Sequence, residues 1–137
     1  AEKPVLRKFD AKYFIHTGNT TWGIQNMAYD PASNKLFLAV YKGSKPQWPN
    51  HPLFVIDMTE KSFRKPLEGV PYVKSATQLR VAASSDFKWG STGLCPLGNG
   101  RWYISENGKD KAAGIQYCNA RLYEWTGDAE TPFKKAE

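Results

Sequence analysis

Short runs of apolar and β-branched residues, each broken by Gly, Pro, Asn or Asp, make up most of this chain. Nowhere do apolar positions hold the i, i+3, i+4, i+7 spacing over a dozen residues, so the pattern predicts strands and no long helix. In the first half the runs fall at Tyr13–His16, Ile24–Tyr29, Lys35–Tyr41, Leu53–Asp57 and Ser62–Pro66. In the second half they fall at Gln78–Ala83, Thr92–Leu97, Arg101–Glu106, Arg121–Trp125 and Thr131–Lys134. Leu97-Gly-Asn-Gly100-Arg101 carries the strongest hairpin signal, because Asn99-Gly100 accepts the positive φ angles of a type I′ turn. Asp30-Pro-Ala-Ser-Asn34 predicts a longer turn, with proline presetting φ.

The pattern repeats. Gly23, Lys35, Leu53 and Phe63 open segments that return at Gly93, Arg101, Leu122 and Phe133, a displacement of 66 to 70 residues. The slip in spacing falls in the first hairpin turn, where a duplicated unit absorbs an insertion most easily. Each copy predicts four antiparallel strands: an inner strand, a short hairpin, a second strand, a long loop, a third strand, a short turn and a fourth strand. The expected fold is one all-β domain over residues 1–137, built from two repeats at about 12–69 and 78–137.

Met27-Ala-Tyr-Asp-Pro31, Lys35-Leu-Phe-Leu-Ala-Val40 and Leu53-Phe-Val-Ile-Asp57, taken together, resemble β-propeller blades. In such blades the first strand ends in a Tyr-Asp-Pro turn and the third ends in Asp. The likeness covers about 22–68 and 91–137 and carries no subfamily signature such as a Trp-Asp dipeptide. It implies two propeller-like, four-stranded blades. A propeller takes about 4–8 blades, so two imply a homo-oligomer or other chains completing the fold. The alternative is a single β-sandwich or barrel.

Net charge is +6, but basic and acidic residues interleave and no basic run exceeds two residues. A diffuse positive surface does not specify a nucleic-acid site. No apolar run approaches a membrane span. No paired His or C-x-x-C spacing predicts a metal site, and no motif calls for a cofactor. The Ala1-Glu-Lys-Pro4 start fits an end left by signal cleavage and equally an arbitrary boundary. Asn19-Thr20-Thr21 is an N-glycosylation acceptor, and the cysteines, Cys95 and Cys118, are even in number. Together these point to a secreted or periplasmic protein with one disulfide. In blade geometry the two cysteines sit two strands apart, about 9–10 Å. Only a fold-back of the loop before Cys118 would join them.

Alternating strand direction puts the loop entering the first strand and the loop between second and third strands on one face. Those loops are 17–22 and 86–92, and 42–52 and 107–117. They carry Trp22, Trp48, Trp89 and Tyr117 beside Asn50, His51 and Asp86. An indole stacks on sugar C–H faces while amides and carboxylates orient hydroxyls. These seven residues are the candidate binding set for a glycan or similar polar ligand, with Trp48, between Pro46 and Pro49, as the expected anchor. Trp22 and Trp89 precede matching strands and fit interface plugs better than ligand platforms. Asp86, Asp110 and Glu106 could pair as carboxylates, but no catalytic motif accompanies them. The sequence therefore predicts a non-catalytic recognition module. The alternatives are a structural or interaction portion of a larger or oligomeric propeller, or a fragment of a propeller enzyme.

Overall fold

The computed structural model describes residues 8–18 and 22–136. Its described residues form eleven strands and no helix: β1 (Phe14–Ile15), β2 (Ile24–Asp30), β3 (Lys35–Val40), β4 (Leu53–Asp57), β5 (Phe63–Lys65), β6 (Ala76–Leu79), β7 (Ala83–Ser85), β8 (Leu94–Gly98), β9 (Arg101–Asp110), β10 (Ile115–Trp125) and β11 (Phe133–Lys135). They assemble into two four-stranded antiparallel sheets, ordered β2-β3-β4-β7 and β11-β10-β9-β8, and a small sheet ordered β1-β6-β5. None closes on itself. In the small sheet β1 runs parallel to β6.

The hydrophobic pattern explains the layering. Val40 and its three predecessors, and Leu53–Ile56, are buried without a break. A strand with no polar alternation must be covered on both faces. On one face Phe37, Ala39, Leu53 and Val55 pack against Trp102, Ile104, Tyr123 and Phe133 of the second four-stranded sheet. On the other, Leu38, Val40, Phe54 and Ile56 pack against Ile15, Leu79 and Val81 of the small-sheet segment. The β2–β4 sheet is thus the middle layer of three. In β9 the alternation returns, with Trp102 and Ile104 buried and Arg101 and Tyr103 exposed. That sheet is covered on one side only.

Both predicted turns form. Asn99 and Gly100 take φ of 52° and 74°. Asp30 caps the other turn, accepting from Ala32 N at 3.2 Å and from Ser33 Oγ at 2.6 Å.

Three expectations are corrected. The Ser62–Pro66 run does not flank Leu53–Asp57; β5 pairs with β6, and β7 takes the place beside β4. Both faces of β4 are covered, so a neighbour bearing Arg64 and Lys65 would bury charge, whereas Ala83-Ser84-Ser85 does not. Gln78–Ala83 accordingly is not one strand; the chain crosses between sheets at residues 80–82. Residues 107–117 are not a long loop. They extend β9 and β10 into a hairpin turned at residues 111–114, where Asp110 Oδ1 accepts from Ala112 N and Ala113 N. The third correction is chemical: Cys95 and Cys118 are free and exposed, with no disulfide. Cys95 pairs with Tyr103 and Cys118 with Asn107. Four residues of β9 therefore separate them along the strand, and the pairing of residues 107–110 leaves no loop to fold back.

Candidate functional site

Strand register defines one end of the middle sheet. Ile24 pairs with Val40, Ala39 with Leu53, and Leu53 with Ser85. Trp22, the 41–52 loop and Asp86 therefore leave the sheet together. The loop is tied at its base by Val40 N donating to Pro52 O at 2.9 Å. Asn50 organises its interior: the amide donates to Lys45 O at 2.8 Å and Trp48 O at 2.7 Å. Its backbone sits at φ 57°, a conformation that Asn tolerates better than most residues. Asn50 is buried, so it shapes the loop from within.

Trp48 is half-buried. Its ring lies over Gly18, where a Cβ would come 3.4 Å from Cε3, and meets the His16 ring edge-on at 5.7 Å. His51 Nδ1 lies 3.4 Å from Asp86 Oδ1, and Lys42 Nζ lies 3.8 Å from the same oxygen. His51 Nδ1 is buried and makes no hydrogen bond, so its tie to Asp86 is an ion pair that needs a protonated ring. Ser85 Oγ accepts from Phe87 N at 3.0 Å, fixing the turn out of β7. His51, Ser84, Ser85 and Asp86 line an open cleft whose far wall is Ala129 and Glu130.

The structure thus joins Trp48 and Asn50 in one loop and His51 and Asp86 across one cleft. Trp89 instead packs against the main core, with the Lys88 ammonium 4.5 Å from its ring centre. Trp22 is exposed at the entry to β2. Tyr117 lies on the β9–β10 hairpin, its phenol resting on Gly108, where any Cβ would collide with it. Asn19 lies outside the described residues. Lys42, Ala129 and Glu130 escaped the sequence reading. Lys42 is an ordinary charge next to a strand end. The 126–132 turn belongs to the other sheet, and only sheet packing carries it to the cleft.

A second polar cluster sits beside the core. Glu106, with its side chain 13% exposed, lies 3.0 Å from Lys135 Nζ and 3.8 Å from Arg121 Nε. Tyr123 Oη donates to its Oε1. The Tyr123 bond, then Lys135 and Arg121, hold the Glu106 carboxyl below its usual range against the opposing effect of burial. Burial, reinforced by the Glu106 carboxylate, pushes the Tyr123 phenol up. Each member has a partner, so the cluster braces the sheet. Glu106 and Asp110 are both engaged locally, and neither meets Asp86 as a carboxylate pair. Among the described residues, no three His, Cys, Asp or Glu side chains gather to hold a metal ion. No described helix is long and apolar enough to cross a membrane.

No protein-family model, curated protein or solved structure matches this chain.

Proposed function

We propose that the chain is a non-catalytic recognition module of propeller-like build, binding a hydroxyl-bearing ligand, a glycan by class, at the loop end of the middle sheet. The observation that supports this most is the convergence of His51, Asp86 and Glu130 on one cleft from three segments remote in sequence. Carboxylates accept from paired hydroxyls, while His51 and Lys42 donate. The exposed Trp22 leaves the same end of the sheet and offers a ring face to sugar C–H groups, with Trp48, half-buried against Gly18 and His16, beside it. The Asn19 sequon supports export; the free thiols remove the other reason for it.

Asp86 is the variant of choice, because its side chain is 69% exposed and its truncation opens no cavity in the core. A charge-assisted hydrogen bond contributes about 1.5–3 kcal/mol, so Asp86→Ala should weaken glycan binding at least about tenfold. The check is a glycan panel titrated with wild type and Asp86→Ala. No binding by wild type, or unchanged binding by the variant, overturns the reading.

A second reading has its own support. The outer face of the β8–β11 sheet carries Cys95, Leu97 and Tyr103, the last 48% exposed, while the middle sheet is covered on both sides. A further blade-like sheet, from another chain or a longer polypeptide, would complete the stack there. Under this reading Tyr103→Glu lowers the native mass in solution; an unchanged mass counts against it.

A further inference from the structure

We propose that the β9–β10 hairpin is a docking arm for a second copy of this chain, joined edge to edge through β10. The hairpin runs past the rest of its sheet. On one side β8 reaches only the Leu94–Ile104 pair, extended by the single bond from Ser105 N to Gly93 O. On the other, β11 pairs with Tyr123–Trp125 and adds the bond from Ala136 N to Leu122 O. Beyond these points two strands continue alone, Asn107–Asp110 against Ile115–Cys118. A two-stranded ribbon is marginal by itself in water. No other described strand pairs with the outer edge of residues 115–121.

That edge lacks the usual defences. Ile115-Gln-Tyr-Cys-Asn-Ala120 contains no charge, no Pro and no Gly. Natural edge strands blunt self-pairing with lysine, proline or bulges. Here Lys109 is on the partner strand and Lys111 in the turn. The backbone alternation is also settled. Leu122 O points toward β11, so residues 116, 118 and 120 direct their N–H and C=O groups to the open edge. A two-fold axis normal to the sheet brings this alternation against itself, with no second sequence needed.

Side chains support the same partner. Ile115 and Tyr117 are 56% and 46% exposed and share one face. Two copies placed edge to edge merge these into one apolar ribbon. On that face the charges are Asp110, opposite Ile115, Glu106, opposite Asn119 and tied to Arg121, and Arg121 itself, opposite Ile104. Antiparallel pairing sends each Arg121 toward the Asp110 end of the other copy. The product is a continuous sheet ordered β9-β10-β10-β9, a case of strand addition. A two-fold axis sets one residue against its own copy; centred on the uncharged run 115–120, that residue is Cys118 or Tyr117 with Cys118 beside it. In both registers the two thiols are close. The net charge of +6 opposes association, so added salt should tighten the dimer.

The test uses the full chain. Light scattering at about 100 µM, enough to populate a micromolar dimer, should give twice the monomer mass. In a Cys95→Ser background, 1,2-bismaleimidoethane should link the two chains through Cys118. Ala120→Pro removes one outward N–H while sparing the β9 ladder, and should raise the dissociation constant at least about tenfold. Gln116→Lys should do the same by setting a like charge at the seam, and it decides the matter if the proline variant misfolds. Tyr103→Glu, on the opposite face, should leave this dimer intact. A wild-type monomer, a dimer without the Cys118 link, or a dimer indifferent to both seam variants overturns the proposal.

Discussion

Trp102→Ala should lower the free energy of unfolding by about 3–5 kcal/mol. That is a large part of the roughly 5–15 kcal/mol that a domain possesses. Trp102 is fully buried, and its ring centre lies 4.5 Å from Phe37 and 5.5 Å from Phe133. Phe37 in turn stands 5.0 Å from Trp125. These rings come from β3, β9, β10 and β11, so the indole is where the two four-stranded sheets meet. Deleting it leaves a cavity that four separate strands would have to move to fill. Trp102→Phe gives the informative contrast. Trp102 Nε1 is buried without a hydrogen-bond partner, and an unpaired buried donor costs about 1–3 kcal/mol. Phenylalanine removes that donor while keeping a ring in the cluster, so it should lose much less than alanine. Urea midpoints for the three proteins check this. A loss below about 1 kcal/mol for Trp102→Ala, smaller than the usual cost of such a truncation, would mean that the sheets are not held together here.

The same residues show what could be read along the chain. Lys35–Val40 and Leu53–Asp57 were legible because an unbroken apolar run of strand length has few uses other than a strand covered on both sides. Asn99-Gly100 was legible because its φ angles are a local property. Partner choice was not. Phe63–Lys65 and Ala83–Ser85 are both short, plausible strands, and the one that flanks β4 is decided by what its two covered faces tolerate. Residues 107–117 look like a loop because Gly108, Lys109, Asp110, Lys111 and Gly114 are common in loops. The alternation of Ile115 and Tyr117, which makes them a strand, spans too few residues to outweigh that composition. For the candidate site, Asn50 and His51 could be placed together on one loop, whereas Asp86 reaches them only through the pairing of β7 with β4, which the sequence pattern does not specify. Glu130 could not, because it reaches the cleft from the neighbouring sheet. Trp48, by its proline neighbours, reads as an exposed anchor. Its contact with Gly18 and His16 depends on a segment 30 residues earlier in the chain, and composition says nothing of that.

Glu106 supplies the second large effect, and its size depends on pH. Glu106→Ala should cost about 1–3 kcal/mol at neutral pH, because the Tyr123 hydroxyl is left buried beside the core with its acceptor gone. Glu106→Gln retains an acceptor oxygen and should cost less, while removing the charge that Lys135 and Arg121 attend. The carboxyl is held below its unfolded value in the native state. Its stabilisation is therefore complete above the unfolded pKa, near 4.3 in model peptides. It fades as pH falls through the folded value, where native and unfolded states bind the proton alike. The gap in stability between wild type and Glu106→Gln should then be widest near pH 7 and shrink below about pH 4. Asp57, lowered chiefly by the Thr59 hydroxyl, also loses stabilisation in acid, but it does so equally in both proteins and cancels from the difference. Tyr123 adds an alkaline counterpart. Its phenol is pushed up in the folded state, so the unfolded chain ionises first above about pH 10, and stability falls there as well. Urea titrations of both proteins from acid to alkaline pH measure all of this. A gap that stays constant down to low pH would show that the Glu106 charge, as distinct from its hydrogen bond to Tyr123, contributes nothing.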